Sequence, residues 1–152
     1  MRGILQKVKY ARLLVENETA ILEIKQGICV FVGISEYDVE RDVEYMVKRI
    51  LGVRVFDHGD AMWKKSVTDC SNEVLIVPQV ELLKDMLPNS NISTPLPMAK
   101  EKAKIMYDSL IDKLYKSYDP KKIFTGSFEG SYSISLLNDG PVTLLLESRK
   151  KS

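Results

Sequence analysis

The sequence predicts an α+β domain in which antiparallel β-sheets, barrel-like in arrangement, pack with two main amphipathic helices. Three observations predict it. Apolar, β-branched runs of strand length recur at residues 28–34, 73–77 and 142–146. Two stretches, 39–51 and 99–118, carry apolar residues at helical spacing. The order is strands, helix, strands, helix, strands, with neither an internal repeat nor a linker.

The first strands come from the alternation of residues 4–9 and from the apolar stretch 11–16. Asn17-Glu18-Thr19 supplies a turn, and residues 20–24 return as a short strand. After Lys25-Gln26-Gly27, the run Ile28-Cys29-Val30-Phe31-Val32-Gly33-Ile34 has the composition of a strand buried on both faces. Ser35 or Asp38 is placed to cap the first helix, whose apolar stripe is Val39, Val43, Met46, Val47, Ile50 and Leu51. Glu36, Asp38, Glu40, Asp42 and Glu44 crowd its start and Lys48 and Arg49 its end. That order suits the helix dipole on a wet face better than it suits a metal site. Residues 53–56 and 61–63 flank Asp57-His58-Gly59-Asp60 as a hairpin. Residues 73–77 form a second apolar strand, and Pro78 marks its end as an edge, a bulge or the rim of a site. The loop 87–97 is rich in Pro, Asn and Ser, with Pro97 suited to the first helical position. The second helix follows and ends before Pro120. Between Lys100 and Lys122, seven lysines stand against four acids, a local net of +3 that reads as a solvated face or a phosphate contact. Residues 132–137 and 142–146 are the last strands, with a sharp turn at Asn138-Asp139-Gly140-Pro141. Residues 1–148 make one domain and 149–152 a basic tail.

Composition narrows the function. A chain of 152 residues buries about two thirds of its unfolded surface and needs no staple. A net charge of +1 argues against an arm-type DNA binder, and the expected partners exclude DNA and membrane. The best apolar run is strand-sized, too short to span a bilayer. No secretory segment is visible, so a reducing, cytoplasmic setting is expected. Cys29 and Cys70 make no zinc-ligand set, and neither a metal nor an organic cofactor is expected. The single histidine, His58, falls in a turn and reads as a solvated loop residue, so hydrolytic chemistry would have to rest on something other than imidazole.

Two segments break local rules, and such places attract sites. Pro78-Gln79 ends a strand of central character, where an edge stop with a solvated Gln79 is the plain alternative. Gly140-Pro141 stands between apolar strands, where an ordinary turn is the plain alternative.

The chain resembles the D-aminoacyl-tRNA deacylase family from Met1 to about Glu147. The resemblance is carried by Gln6-Lys7-Val8, residues 27–33, Lys48-Arg49-Ile50-Leu51, Arg54-Val55-Phe56 and two motifs. The family's Ser-Gln-Phe-Thr-Leu matches here at Gln79 and Leu82. Its Asn-x-Gly-Pro-Val/Phe-Thr matches Asn138-Asp139-Gly140-Pro141-Val142-Thr143 at every defined position. The resemblance implies a cytoplasmic homodimer that cleaves the ester between a D-amino acid and the 3′-terminal adenosine of tRNA. It implies that Gly140 and Pro141, typically joined by a cis bond, enter the partner's pocket and reject L-residues through backbone carbonyls. Pro78, Gln79, Val80 and Glu81 then form the catalytic wall, with backbone amides on the ester oxygen. Phe128, Asn138, Val142 and Thr143 complete the substrate-binding set. Pro78, Val80 and Glu81 replace Ser, Phe and Thr of the first motif, and Phe128-Glu129-Gly130 replaces Phe-Gly-Ala. A Pro-Gln start resembles a sister group of relaxed chirality that clears L-alanine mischarged on tRNA. A tRNA-end-binding paralogue without catalysis is the remaining alternative, favoured by Glu81 and Glu129.

Overall fold

A computed structural model describes residues 1–16, 19–93 and 98–149. The strands are β1 (Arg2–Val15), β2 (Ile21–Ile24), β3 (Gly27–Gly33), β4 (Phe56–His58), β5 (Ala61–Lys65), β6 (Glu73–Pro78), β7 (Ile123–Thr125) and β8 (Tyr132–Glu147). The helices are α1 (Glu40–Gly52) and α2 (Lys100–Ser117). The predicted turn at Asn17-Glu18 and the helical start at Pro97 lie outside the described residues.

The main sheet runs β2-β1-β3-β6-β7, with β8 along the other edge of β1. The ladders β1–β2, β1–β3 and β1–β8 are antiparallel, as the class predicts. The ladders β3–β6 and β6–β7 are parallel, so the sheet is mixed. Each parallel pair is joined by a stretch that contains a helix, the connection a parallel pair requires. The sheet curls until the start of β8 returns to the end of β7: a Cβ built on Gly126 would lie 3.5 Å from Leu13 Cδ1 and 3.6 Å from Tyr132 Cζ.

Alternation along the strands builds two cores. Leu5, Ile28, Val30, Val32, Val74 and Ile76 face the helices, packing with Met46 and Ile50 of α1 and Leu110 and Leu114 of α2. Val8, Leu13, Cys29, Leu75 and Val77 face the interior of the curled sheet. Burial on both faces accounts for the unbroken apolar runs of β3 and β6. It also pushes the Cys29 thiol up to about 12, which leaves it an inert core group.

Several elements differ from expectation. The two expected strands at 4–9 and 11–16 are one long strand, Arg2–Val15, because β3 and β2 take turns along one edge of β1 while β8 runs along the other. The hairpin strands sit further along the chain, at residues 56–58 and 61–65, with Gly59 at φ +57° in the turn. Neither Ser35 nor Asp38 caps α1; Val39 holds that position. The Asp38 carboxylate is occupied by the N-terminal ammonium and by the Ser35 N–H at 2.7 Å. The acidic cluster is not uniformly wet. Asp38 and Asp42 are buried, and Asp42 accepts from the Val39 N–H at 2.9 Å and from the Arg149 guanidinium at 2.8 Å. Arg149, the first residue of the predicted tail, is thereby tied to α1.

Candidate active site

Chain reversal was the expectation for Asn138-Asp139-Gly140-Pro141, and β8 instead continues in one direction through it. Val8 pairs with Asn138 and Gln6 with Thr143, so residues 139–142 stand against Lys7 alone. The extra residues are forced out of the ladder as a bulge while the pairing with β1 resumes beyond it. Gly140 adopts φ +122°, open to glycine and strained for other residues, and the Gly140–Pro141 peptide is cis. Asn138, Gly140, Pro141 and Thr143 are exposed and Val142 is half-buried. Lys7 Nζ lies 3.8 Å from Asp139 Oδ2 and 5.4 Å from the Phe56 ring centre, which ties the base of the bulge to the β4–β5 hairpin. His58 is exposed near the tip of that hairpin, as expected.

The first motif lies elsewhere. Pro78 ends β6 opposite Val32, and the Gln79 N–H donates to Val32 O at 2.8 Å. A 3-10 turn, Val80–Leu83, follows immediately. It packs close over Gly33, where a Cβ would come within 3.0 Å of Gln79 O and 3.2 Å of Leu82 Cβ. Pro78 therefore closes a ladder at the rim of a site, as its residue type suggested.

That rim bounds a cavity of about 460 Å³ between the ends of β3 and β6, the start of α2 and the turn at residues 128–130. Pro78, Gln79 and Val80 form one wall, and Phe128 and Glu129 another. Glu81 does not line it; its side chain is exposed on the 3-10 turn. Most of the lining is apolar, contributed by Val32, Ile34, Met98 and Ala103 among others. Its polar side chains are Gln79, Lys100 and Glu129. Among the described residues that line it there is no serine, threonine, cysteine or histidine, so none of them is a candidate for attack by a side-chain nucleophile. Among the described residues no three His, Cys, Asp or Glu side chains gather as metal ligands.

The Phe128 wall is braced from α2. The Tyr107 ring lies 5.7 Å from that of Phe128, and its hydroxyl donates to Gly126 O at 3.0 Å. Burial pushes the Tyr107 hydroxyl far above the ordinary phenol range, so it stays a donor at every physiological pH. Ser127 Oγ donates to Glu129 O at 2.6 Å and meets Tyr132 Oη at 3.0 Å. Glu129 Oε1 is 3.1 Å from Lys100 Nζ. Tyr107 and Lys100 escaped the sequence reading: Tyr107 stood as one apolar-stripe residue among several, and Lys100 as one of the seven lysines between Lys100 and Lys122.

The structure thus brings Pro78, Gln79, Val80 and Phe128 together. Asn138, Gly140, Pro141, Val142 and Thr143 do not line the cavity that those residues bound.

A mixed curled sheet flanked by two helices, with a mostly apolar cavity at the ends of β3 and β6, defines an α+β protein. The sequence profile of the D-Tyr-tRNA(Tyr) deacylase family matches residues 4–147, and the chain belongs to that family. It is 39% identical over 148 residues to a D-aminoacyl-tRNA deacylase of Drosophila melanogaster, covering 97% of this chain and 92% of the relative. It is 38% identical over 150 residues to the D-aminoacyl-tRNA deacylase of Thermosipho melanesiensis, covering 99% of each. Among solved structures it resembles a c-Myc DNA Unwinding Element Binding Protein, with a TM-score of 0.91, 37% identity and coverage of 99% and 100%. A probable eukaryotic D-amino acid tRNA deacylase shares the fold at a TM-score of 0.81 and 18% identity, with coverage of 95% and 97%.

Proposed function

We propose that this chain is a D-aminoacyl-tRNA deacylase that hydrolyses the ester between a D-amino acid and the 3′-terminal adenosine of tRNA, acting as a cytoplasmic homodimer. The observation that carries this reading is the separation of its two motifs. The cavity at Pro78-Gln79-Val80 is open, while the Gly140–Pro141 corner is exposed and lies outside it. One protomer offers a pocket and the other a projection. In a two-fold pair each corner enters the other's cavity, which makes the interface isologous. Exposed apolar side chains support such a pairing: Met62 and Trp63 on the hairpin tied to the corner through Lys7, and Leu137 and Leu145 on β8.

In this arrangement Phe128 bounds the space for the terminal adenosine. The backbone of Pro78, Gln79, Val80 and Glu81 faces the ester; proline carries no N–H and the Gln79 N–H is held by Val32 O, so the Val80 and Glu81 amides hold the oxygen on which charge develops as water attacks the carbonyl carbon. The ribose 3′-oxygen leaves and takes up a proton. Each well-placed donor of this kind is worth about 3 kcal/mol of barrier. An ester needs less activation than an amide, which suits a cavity whose described lining carries no side-chain nucleophile. The carbonyls of Gly140 and Pro141 face the α-carbon and leave room for its hydrogen on one side only, so an L-residue collides. Asn138, Val142 and Thr143 hold the corner in place.

The test is deacylation of D-tyrosyl-tRNA and L-alanyl-tRNA side by side, with the molar mass measured by sedimentation. Cleavage of the D-ester alone by a dimer is expected. Cleavage of L-alanyl-tRNA would select the relaxed-chirality alternative, and binding without cleavage the non-catalytic one. A monomer active at every concentration would overturn the shared site.

A further inference from the structure

Among the described residues charge enters the cavity at one place. Lys100 Nζ and Glu129 Oε1 lie 3.1 Å apart, joining the first residue of α2 to the turn after Phe128. Among the described residues Gln79 is the only other polar side chain in the lining. Both members of the pair are about two-thirds exposed, at 66% and 63%. An ion pair so exposed contributes little to stability. Either group can therefore turn toward a ligand at small cost. A cationic donor beside a carboxylate acceptor complements a ligand edge carrying an acceptor beside a donor. Adenine has that edge, with N7 accepting and the 6-amino group donating, whereas guanine shows two acceptors, N7 and O6. Hypoxanthine shows the same two acceptors as guanine. An oxygen at position 6 faces the Glu129 carboxylate with no hydrogen between them. Phe128, fixed by Tyr107, supplies an aromatic surface for the base itself.

We infer that Lys100 and Glu129 read the edge of the terminal base, Lys100 donating to N7 and Glu129 accepting from the 6-amino group, so that the cavity takes adenosine and disfavours 6-oxopurines. The inference rests on the reading that this cavity holds the nucleoside end of an aminoacyl-tRNA. The two residues touch the base and not the ester, so they set specificity and take no part in the chemistry.

The experiment compares binding of adenosine 5′-monophosphate and inosine 5′-monophosphate to the wild-type protein, Glu129→Gln and Lys100→Met. D-Tyrosyl-tRNA ending in adenosine or in inosine is then compared in deacylation. The wild type should prefer the adenine nucleotide about tenfold. Glu129→Gln, whose amide can donate to O6 as well as accept from an amine, should bring the ratio within about twofold. Lys100→Met should weaken both nucleotides about equally and keep the ratio, since both carry N7. In deacylation the ratio should appear in KM with kcat unchanged. Equal binding of the two nucleotides by the wild type, a ratio that survives Glu129→Gln, or binding of neither nucleotide overturns the inference. Binding is measured without catalysis, so a protein that binds selectively but cleaves nothing sinks the deacylase reading and leaves this one standing.

Discussion

Replacing Gly140 by alanine tests the corner most directly. Gly140 sits at φ +122°, where an L-residue is strained. A Cβ there would come within 3.0 Å of Val142 Cγ2 and 3.2 Å of Val142 N. The Val142 methyl can shift by rotation, but its backbone nitrogen cannot, so the corner has to move. Holding a residue in such a region costs about 1–3 kcal/mol. If the corner kept its shape, that whole cost would appear in stability, a fall in Tm of several degrees at about 2–4 °C per kcal/mol for a chain of this size. The corner is exposed and outside the ladder, so it can relax without disturbing either core. We therefore expect a stability loss below about 1 kcal/mol, together with at least a tenfold fall in the ratio of kcat/KM for D-tyrosyl-tRNA over L-tyrosyl-tRNA. Tenfold corresponds to about 1.4 kcal/mol between two transition states. The measurements are thermal unfolding and deacylation of both esters at matched protein concentration. A ratio that stays constant while Tm falls by the full amount would show that the corner is architectural and would refute its role in chiral selection.

Further predictions concern the frame that holds the site. Tyr107→Phe removes the hydroxyl that donates to Gly126 O at 3.0 Å; a loss of about 1 kcal/mol in urea unfolding is expected, with a higher KM and an unchanged kcat, and a KM equal to wild type would free Phe128 from this brace. Gly27→Ala places a Cβ 1.9 Å from Glu73 O, a backbone atom at the start of the β3–β6 ladder that no side-chain rotation relieves. The variant should lose about 3 kcal/mol or more, and a melting temperature within 2 °C of wild type would contradict the packing described here. Burial acts to raise the Asp42 pKa, but Arg149, the Val39 N–H, Ser148 and the N-terminal ammonium together outweigh it and hold the carboxyl well below its usual range. A depressed carboxylate stabilises the fold above its unfolded pKa of about 3.9, and that contribution disappears as pH falls through the folded value. The gap in unfolding free energy between wild type and Asp42→Asn should thus be widest near neutral pH, at about 2 kcal/mol, and narrow below about pH 4. A gap independent of pH between 7 and 3 would remove Asp42 from the stability profile.

The features legible in the sequence were those whose signal is local. The stripe of α1 and the doubly buried runs of β3 and β6 announce themselves within a few residues, since helical and strand periodicities are set by the backbone of the segment itself. Pro78 marked the rim for the same reason, and Asn138-Asp139-Gly140-Pro141 stood out as a rule-breaking segment. Its shape was not legible. A reversal and a bulge use the same residue types, and only a partner strand that continues on both sides of Lys7 makes the segment a bulge. The parallel ladders β3–β6 and β6–β7 depend on strands far apart in the chain, which no window spans.

By itself the sequence determined the α+β class, both helices, the central strands and the family to which the chain belongs, because these are carried by short-range pattern and motif. Tertiary structure alone decided that Lys100 meets Glu129, that Tyr107 braces Phe128, that Arg149 holds Asp42, and that the corner stands outside the cavity. Each of these contacts joins separate elements, and its geometry is fixed by how the curled sheet and the helices pack, a long-range outcome that no local preference encodes.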